Sequence, residues 1–289
     1  MKRRNNILKR LVKNQEGVSQ TLAAIMMIIL VTSSIAVVWG WLFPAYQRFQ
    51  TINTINNVNS YMLRLDESVY FLLDEGEETM RVLNLDAFTG EYRYEEGETP
   101  AIRFRDGAET INATFTSDDS LGRFAYNYYG RGAMISQGGE KYLKGPVAQP
   151  VFFINDTLEG SYNGLTRLLL TRPLDRTMKI SLDYRVQLYS WFDTSNNQLN
   201  IRLNLILLEV NGNEISFTNY NRMKLFYNRT ETLDTRSWSL NSRFFVEGTL
   251  SPNNFSPKDS ALTFEHPTPG TTYSVSIEII GNYFTISRA

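Results

Sequence analysis

Cysteine is absent from all 289 residues. That excludes disulfides, thiolate metal sites and thiol nucleophiles, and it leaves the redox compartment unread. Histidine is nearly absent: the single His266 stands in "FEHPTPG", a surface turn before Pro267. A Ser-His-Asp triad would have to be built on it, and no G-x-S-x-G elbow accompanies it. Tetrahedral zinc sites draw on His and Cys, so none is expected. No P-loop, G-x-G-x-x-G cradle or EF-hand spacing occurs. The sequence therefore predicts no catalytic residue, metal or cofactor. Paired carboxylates in "DEGEE", "YEEGE" and Asp118-Asp119 leave one enzymatic alternative open, because glycoside hydrolysis needs only two of them suitably placed.

Positive charge is scarce outside the N-terminus. Of 29 basic residues, six (Lys2, Arg3, Arg4, Lys9, Arg10, Lys13) precede the apolar run described next, against Glu16 alone of 30 acidic ones. The remainder carries 23 basic and 29 acidic residues, a net charge of −6. Phosphate binding needs clustered Lys and Arg, so nucleic acid is not an expected partner. The basic leader reads as a targeting device.

From Gly17 to Gln47 no side chain is charged, and Leu22 to Phe43 is almost wholly apolar. About 20 such residues cross a hydrocarbon core at 1.5 Å each. Secretory h-regions are shorter, and the small residues that could offer a signal-peptidase site, Ser34 and Ala36, lie inside the run. The run reads as a membrane-spanning helix. Lys and Arg before it, and none close behind it until Arg48, put the N-terminus in the cytoplasm and everything after Pro44 outside. Trp39, Trp41 and Tyr46 fall at the outer interface, with Pro44 as a kink or helix boundary.

The stretches "KRLVKNQEG" and "VSQTLAAIMMIILV" resemble the class III signal peptides of type IV pilins, above all the archaeal pilin and archaellin-like set. The resemblance covers about 35 residues, with a softer likeness in "NNVNSYMLRLDESVYFLLDEGEE" and the strands after it. It implies a basic leader (1–17), cut by a prepilin-peptidase-like membrane protease between Gly17 and Val18. It implies assembly with copies of itself or related pilin-like subunits through the helix that carries Leu22, Ile25, Ile29, Ala36, Trp39 and Phe43. Leu22 stands where bacterial pilins carry a Glu, which favours the archaeal type. Cleavage and assembly have a physical link. Six cations dragged into an apolar bundle would be costly, and the cut removes them.

Beyond Pro44, Phe49, Ile52, Ile55, Val58, Met62, Leu65, Val69 and Leu72 keep spacings of three and four, one face of a helix. The near half is expected to face other subunits while Met62 to Leu72 docks on an outer domain, and Gly76 ends the element. The domain plan is thus leader 1–17, helix 18–75 and a β-rich extracellular domain 76–289, with a subdivision near 146. After Gly76 the period becomes two. "TMKISLDYRVQLYSWF" reads as one half-buried strand and "LNIRLNLILLEV" as another, turning at Asn211-Gly212 into a return strand. "YSVSIEIIGNYFTISRA" reads as a pair around a turn at Gly281-Asn282, and "LGRFAYNYYGRGAMISQGGEKYLKG" as a helix-bearing interruption. The fold class is α+β: a long apolar helix followed by a mainly antiparallel, β-sandwich-like head.

Four N-x-S/T sequons begin at Asn112, Asn155, Asn228 and Asn254, all on the expected outer side. Two alternatives to a filament subunit stay open. One is an uncleaved single-pass protein whose head binds an envelope component, stator- or adhesin-like. The other is a membrane-tethered hydrolase. A head this large and irregular points to a minor or tip subunit within the pilin-like reading.

Overall fold

The computed structural model describes residues 2–85, 90–97, 99–130, 134–144, 153–155, 166–174, 177–184, 186–211, 216, 222–249, 261–266, 268 and 270–289. Helix α1 (Lys2–Glu75) is continuous and contains Pro44. The proline is therefore not the expected boundary. A proline removes one backbone donor and crowds the preceding turn, yet the helix runs on through it. Gly76 ends it instead. Its φ of 96° is left-handed, and its N–H closes on the Leu72 carbonyl at 2.9 Å.

The strands are β1 (Met80–Asn84), β2 (Gly90–Glu95), β3 (Ala101–Asp106), β4 (Asn112–Thr116), β5 (Arg123–Tyr129), β6 (Glu140–Lys144), β7 (Phe153–Asn155) and β8 (Thr166–Leu174). They continue with β9 (Thr177–Tyr184), β10 (Val186–Asp193), β11 (Gln198–Val210), β12 (Arg222–Leu240), β13 (Phe244–Thr249), β14 (Ala261–Phe264) and β15 (Tyr273–Arg288). The fold is α+β and mostly antiparallel, and its strands form three sheets. A long sheet runs β1-β12-β15-β11-β10-β7, an inner sheet β2-β5-β9-β8-β6 and a cover sheet β14-β13-β3-β4. The pairs β11·β15 and β7·β10 are parallel.

Two apolar cores lie on opposite faces of the long sheet. One packs the second half of α1 between the inner sheet (Tyr126, Leu170, Ile180, Leu182) and Ile206, Leu208, Leu225 and Phe284 of the long sheet. The other packs the cover sheet (Ile102, Phe104, Phe244, Val246) on Leu199, Ile201, Leu203, Val275 and Ile277. Where the cores overlap, β11 is buried on both faces, and the unbroken run Leu205–Leu208 supplies apolar side chains to each.

Several expected local features differ. "TMKISLDYRVQLYSWF" is two strands: β9 belongs to the inner sheet and β10 to the long one, so one alternating run feeds both cores. Alternation fixes which side faces a core but not which sheet the strand joins. The return strand expected after Asn211-Gly212 falls on residues 212–221, of which only Ser216 is described; the next described strand, β12, is separated from β11 by β15. Gly281-Asn282 is no turn but the middle of β15. Leu207 and Leu233 press in there, and a Cβ on Gly281 would meet each at 3.1 Å. Asn282 stays buried because its amide is paired, donating to the Leu205 carbonyl (3.3 Å) and accepting from the Tyr227 hydroxyl (3.0 Å). The stretch expected to carry a helix supplies β5 and β6, with no helix among its described residues. Within "FAYNYY" Phe124, Tyr126 and Tyr128 alternate and face the core, and the period of two is blurred only by Ala125, buried on the other side, and by Tyr129 at the strand end. The boundary near 146 lies outside the described residues.

Candidate functional site

The feature that stands out is the first half of α1. From Gln20 to Gln50 every residue but the half-buried Gln47 is exposed, including Leu22 (59%), Ile25, Ile29, Ala36, Trp39 (64%) and Phe43. Those six positions fall within an arc of about 100° when each residue turns 100°. Nothing sets that arc apart, because the rest of the circumference is as apolar and as exposed. The polar groups inside the run close on their own backbone. The hydroxyls of Thr32, Ser33 and Ser34 donate to the carbonyls of Ile28, Ile29 and Leu30 at 2.8, 2.6 and 2.7 Å. A helix so built presents hydrocarbon with its polar atoms satisfied, as a bilayer requires. Trp39 and Phe43 stack at 6.0 Å near the far end. The helix is long and apolar enough to cross a membrane.

Docking on the head begins at Thr51, earlier than Met62. Its hydroxyl donates to the Gln47 carbonyl (2.9 Å) and lies 3.0 Å from the Tyr128 hydroxyl. Ile55, Val58, Met62, Leu65, Val69 and Leu72 are then buried in the first core, whereas Phe49, on the same stripe, is exposed. Each such burial stabilises by about 1.5–3 kcal/mol. The near half of the stripe is thus split: Phe49 stays with the exposed segment and Ile55 and Val58 join the head.

Asp66 is a buried ionisable group that sequence reasoning missed. It lies four residues after Met62 and three before Val69, inside the apolar stripe, and a carboxylate at such a position signals a buried partner. That partner is Lys144 of β6, whose ammonium donates to Asp66 Oδ2, joined by the Thr166 hydroxyl at 2.9 Å. Oδ1 accepts no hydrogen bond. Burial raises the Asp66 pKa above its ordinary 3.8, outweighing the attraction of Lys144.

Gly17 and Val18 lie within the helical span of α1, and nothing beyond their backbone is described. Asn112 is exposed on β4, an edge strand of the cover sheet, and Asn228 is half-buried at a bulge in β12. Asn155 ends β7 with its side chain outside the described residues, as is all of Asn254. His266 accepts the Thr268 N–H at Nδ1 (2.8 Å), with Nε2 2.8 Å from Asn197 Oδ1, in an edge-on contact with Phe192. Those bonds give it a structural partner on each side.

A cleft of about 830 Å³ beside β11 is lined by Tyr94, Glu96, Asp118, Asp119, Ser120 and Glu209 among others. Burial raises the Glu209 pKa, Arg229 opposes it and Asp119 adds to it. Asp119 also accepts the Tyr283 hydroxyl at 2.9 Å. Among the described residues no group of three or more His, Cys, Asp or Glu side chains is placed to hold a metal.

Fold and site together define an α+β protein in which a single apolar helix projects from a two-core β-rich head. In comparison with known proteins, the chain matches no family model, no curated protein and no solved structure.

Proposed function

We propose that this chain is a structural, non-enzymatic subunit of an archaeal type IV pilus-like surface filament. It is made with the basic leader 1–17, anchored in the cell membrane with that leader in the cytoplasm, cut between Gly17 and Val18, and assembled through the helix from Val18 to about Phe43. One observation carries the reading: Gln20 to Gln50 is an exposed apolar rod projecting from a head whose own cores are complete without it. Such a rod needs apolar neighbours on all sides, and either lipid or copies of itself supply them. The test is mass spectrometry of material sheared from cells. A mature N-terminus at Val18 is expected; protein found solely as membrane-embedded monomers starting at Met1 overturns the proposal.

A second reading, an uncleaved anchor bearing an envelope-binding head, draws support from the continuity of α1 through Gly17 and Val18. A protease acting there has to unwind a helical turn. Replacing Gly17 by Phe separates the two: it leaves a plain anchor unaffected and blocks processing and release of a filament subunit.

A further inference from the structure

Among the described residues the three sheets end in six edge strands: β1 and β7 of the long sheet, β2 and β6 of the inner sheet, β4 and β14 of the cover sheet. An edge strand offers unpaired backbone groups to any other chain, and folded proteins blunt such edges with charge, proline or short length. β1 carries Arg81, β2 carries Arg93, and β6 carries Lys141 and Lys144. β7 has three residues and β14 four. β4, with the sequence NATFT, has five and contains neither charge nor proline, while its Thr and Phe side chains favour strand pairing. Arg236 donates to the Thr114 carbonyl at 3.2 Å, which occupies a single backbone group of that edge.

The same strand opens with a sequon, Asn112-Ala113-Thr114. Phe115 is buried in the second core and alternate residues share a face, so Asn112, Thr114 and Thr116 turn outward together, and all three are exposed. The amide nitrogen that accepts a sugar and the hydroxyl that completes the sequon therefore stand on one side of an extended backbone. Among the described residues neither side chain has a hydrogen-bond partner. The segments on either side of β4, residues 107–111 and 117–122, are described throughout. Asp106 holds the first of them, accepting the Thr110 hydroxyl (2.7 Å) and the Ile111 N–H (2.8 Å). β13 and β14, whose connection lies outside the described residues, are on the other side of β3. The sequon Asn228-Arg229-Thr230 differs on each count. A bulge between Tyr227 and Arg229 breaks the alternation, and Asn228 is half-buried. The Thr230 hydroxyl lies 2.6 Å from the Tyr227 hydroxyl, and the Thr230 N–H donates to Glu77 at 2.7 Å.

We propose that Asn112 is the acceptor of an N-linked saccharide that shields the free edge of the cover sheet, and that Asn228 is left unmodified. The donor is a lipid-linked saccharide phosphate. The Asn112 amide nitrogen bonds to its anomeric carbon, the bond from that carbon to the phosphate oxygen breaks, the lipid phosphate leaves with the electron pair, and the amide loses one proton. Bulky and hydrated, the saccharide does for β4 what charge does for β1, β2 and β6, keeping the strand of another chain from adding to the sheet. The proposal rests on the head lying outside the membrane, which the filament and anchor readings share.

Peptide mass spectrometry of the protein purified from its own cells tests it. The peptide holding Asn112 is expected to carry saccharide mass, and the peptide holding Asn228 none. Thr114→Val, made in the same cells, should lose the saccharide altogether, and Thr114→Ser should retain it. Thr114 is exposed and Val suits a strand, so the head folds in both variants. Sedimentation of the membrane-extracted chains in detergent should show Thr114→Val shifted to larger species while Thr114→Ser stays monomeric. A bare Asn112 in the native protein, an occupied Asn228, or a Thr114→Val chain no more associated than Thr114→Ser overturns the proposal. Protease added to intact cells reads the orientation separately. A head cut from outside with Asn112 bare sinks this proposal alone, and a glycosylated chain still starting at Met1 in sheared material sinks the filament reading alone.

Discussion

Residues 20–50 and 51–75 belong to one unbroken helix and live in opposite surroundings. The first stretch is exposed and, as far as Phe43, apolar around almost its whole circumference; the second buries a stripe and turns Asn, Arg and Glu outward. A stripe can be covered by one neighbour, and the head covers it. A helix apolar all round has no face to bury and needs an apolar medium or a ring of similar helices. Hydrophobicity alone therefore does not tell the halves apart; its angular distribution does.

The same substitution placed in each half sharpens the comparison most. Leu65→Asp puts an unpaired carboxylate in a core where Leu65 is 1% exposed, and a loss of more than about 4 kcal/mol in head stability is expected. Ile29→Asp is expected to leave the melting of the head unchanged and to weaken membrane partition by about 3 kcal/mol. Denaturation followed by near-ultraviolet dichroism reads the first effect and vesicle flotation the second. Equal head stability in the two variants would mean that the docked stripe does not hold the helix.

A smaller effect divides the two cores by their response to acid. Removing Lys144 (Lys144→Met) strands the Asp66 carboxylate and should cost about 3 kcal/mol near neutrality. Asp66 itself has a raised pKa, from burial first and despite Lys144. Its folded form binds the proton more tightly than the unfolded form, so its contribution is full below 3.8 and lost as pH rises through the folded pKa. Glu247 of the cover sheet behaves oppositely. Burial pushes its pKa up, but hydrogen bonds and charge from Arg105 and Arg103 outweigh that and hold it below 4.5. Its contribution is present above 4.5 and lost as pH falls through the folded pKa. Urea denaturation between pH 3 and 7 should show the gap between wild type and Asp66→Asn widening toward acid. The gap to Glu247→Gln should narrow. Slopes of the same sign in both would refute this division of the cores.

How much of this was legible in the sequence follows the same division. The docked half announced itself through spacings of three and four, and the exposed half through its lack of charge, because both are local patterns along one helix. The long-range choices were not legible: Val186 and Leu188 continue the alternation of Met178 to Tyr184 yet join another sheet, and β15 inserts itself beside β11 although β12, β13 and β14 come between them in the chain. Gly281-Asn282 has the composition of a turn, and only the side chains of Leu207, Leu233 and Tyr227 around it reveal a strand. Cross-strand neighbours were hidden for a related reason. Trp191, Asn200 and Ser276 come from three strands, and only register brings them into a row.

The smallest test uses two glycines, one in each environment. A Cβ added at Gly40, in the exposed half, or at Gly76, where the docked half ends, would meet nothing within 4 Å. Space therefore cannot distinguish them, and backbone conformation must. Gly40 sits in helical backbone, where Ala is favoured over Gly by about 0.8 kcal/mol, so Gly40→Ala should stiffen the rod and leave the head unaffected. Gly76 has a φ of 96°, where a side chain crowds the backbone, so Gly76→Ala should destabilise the head by about 1 kcal/mol. Helix content of the purified chain in micelles reads the first, and the denaturation midpoint of the head reads the second. A loss at Gly40 as large as that at Gly76 would mean that the exposed rod, like the docked stripe, is held by contacts of its own.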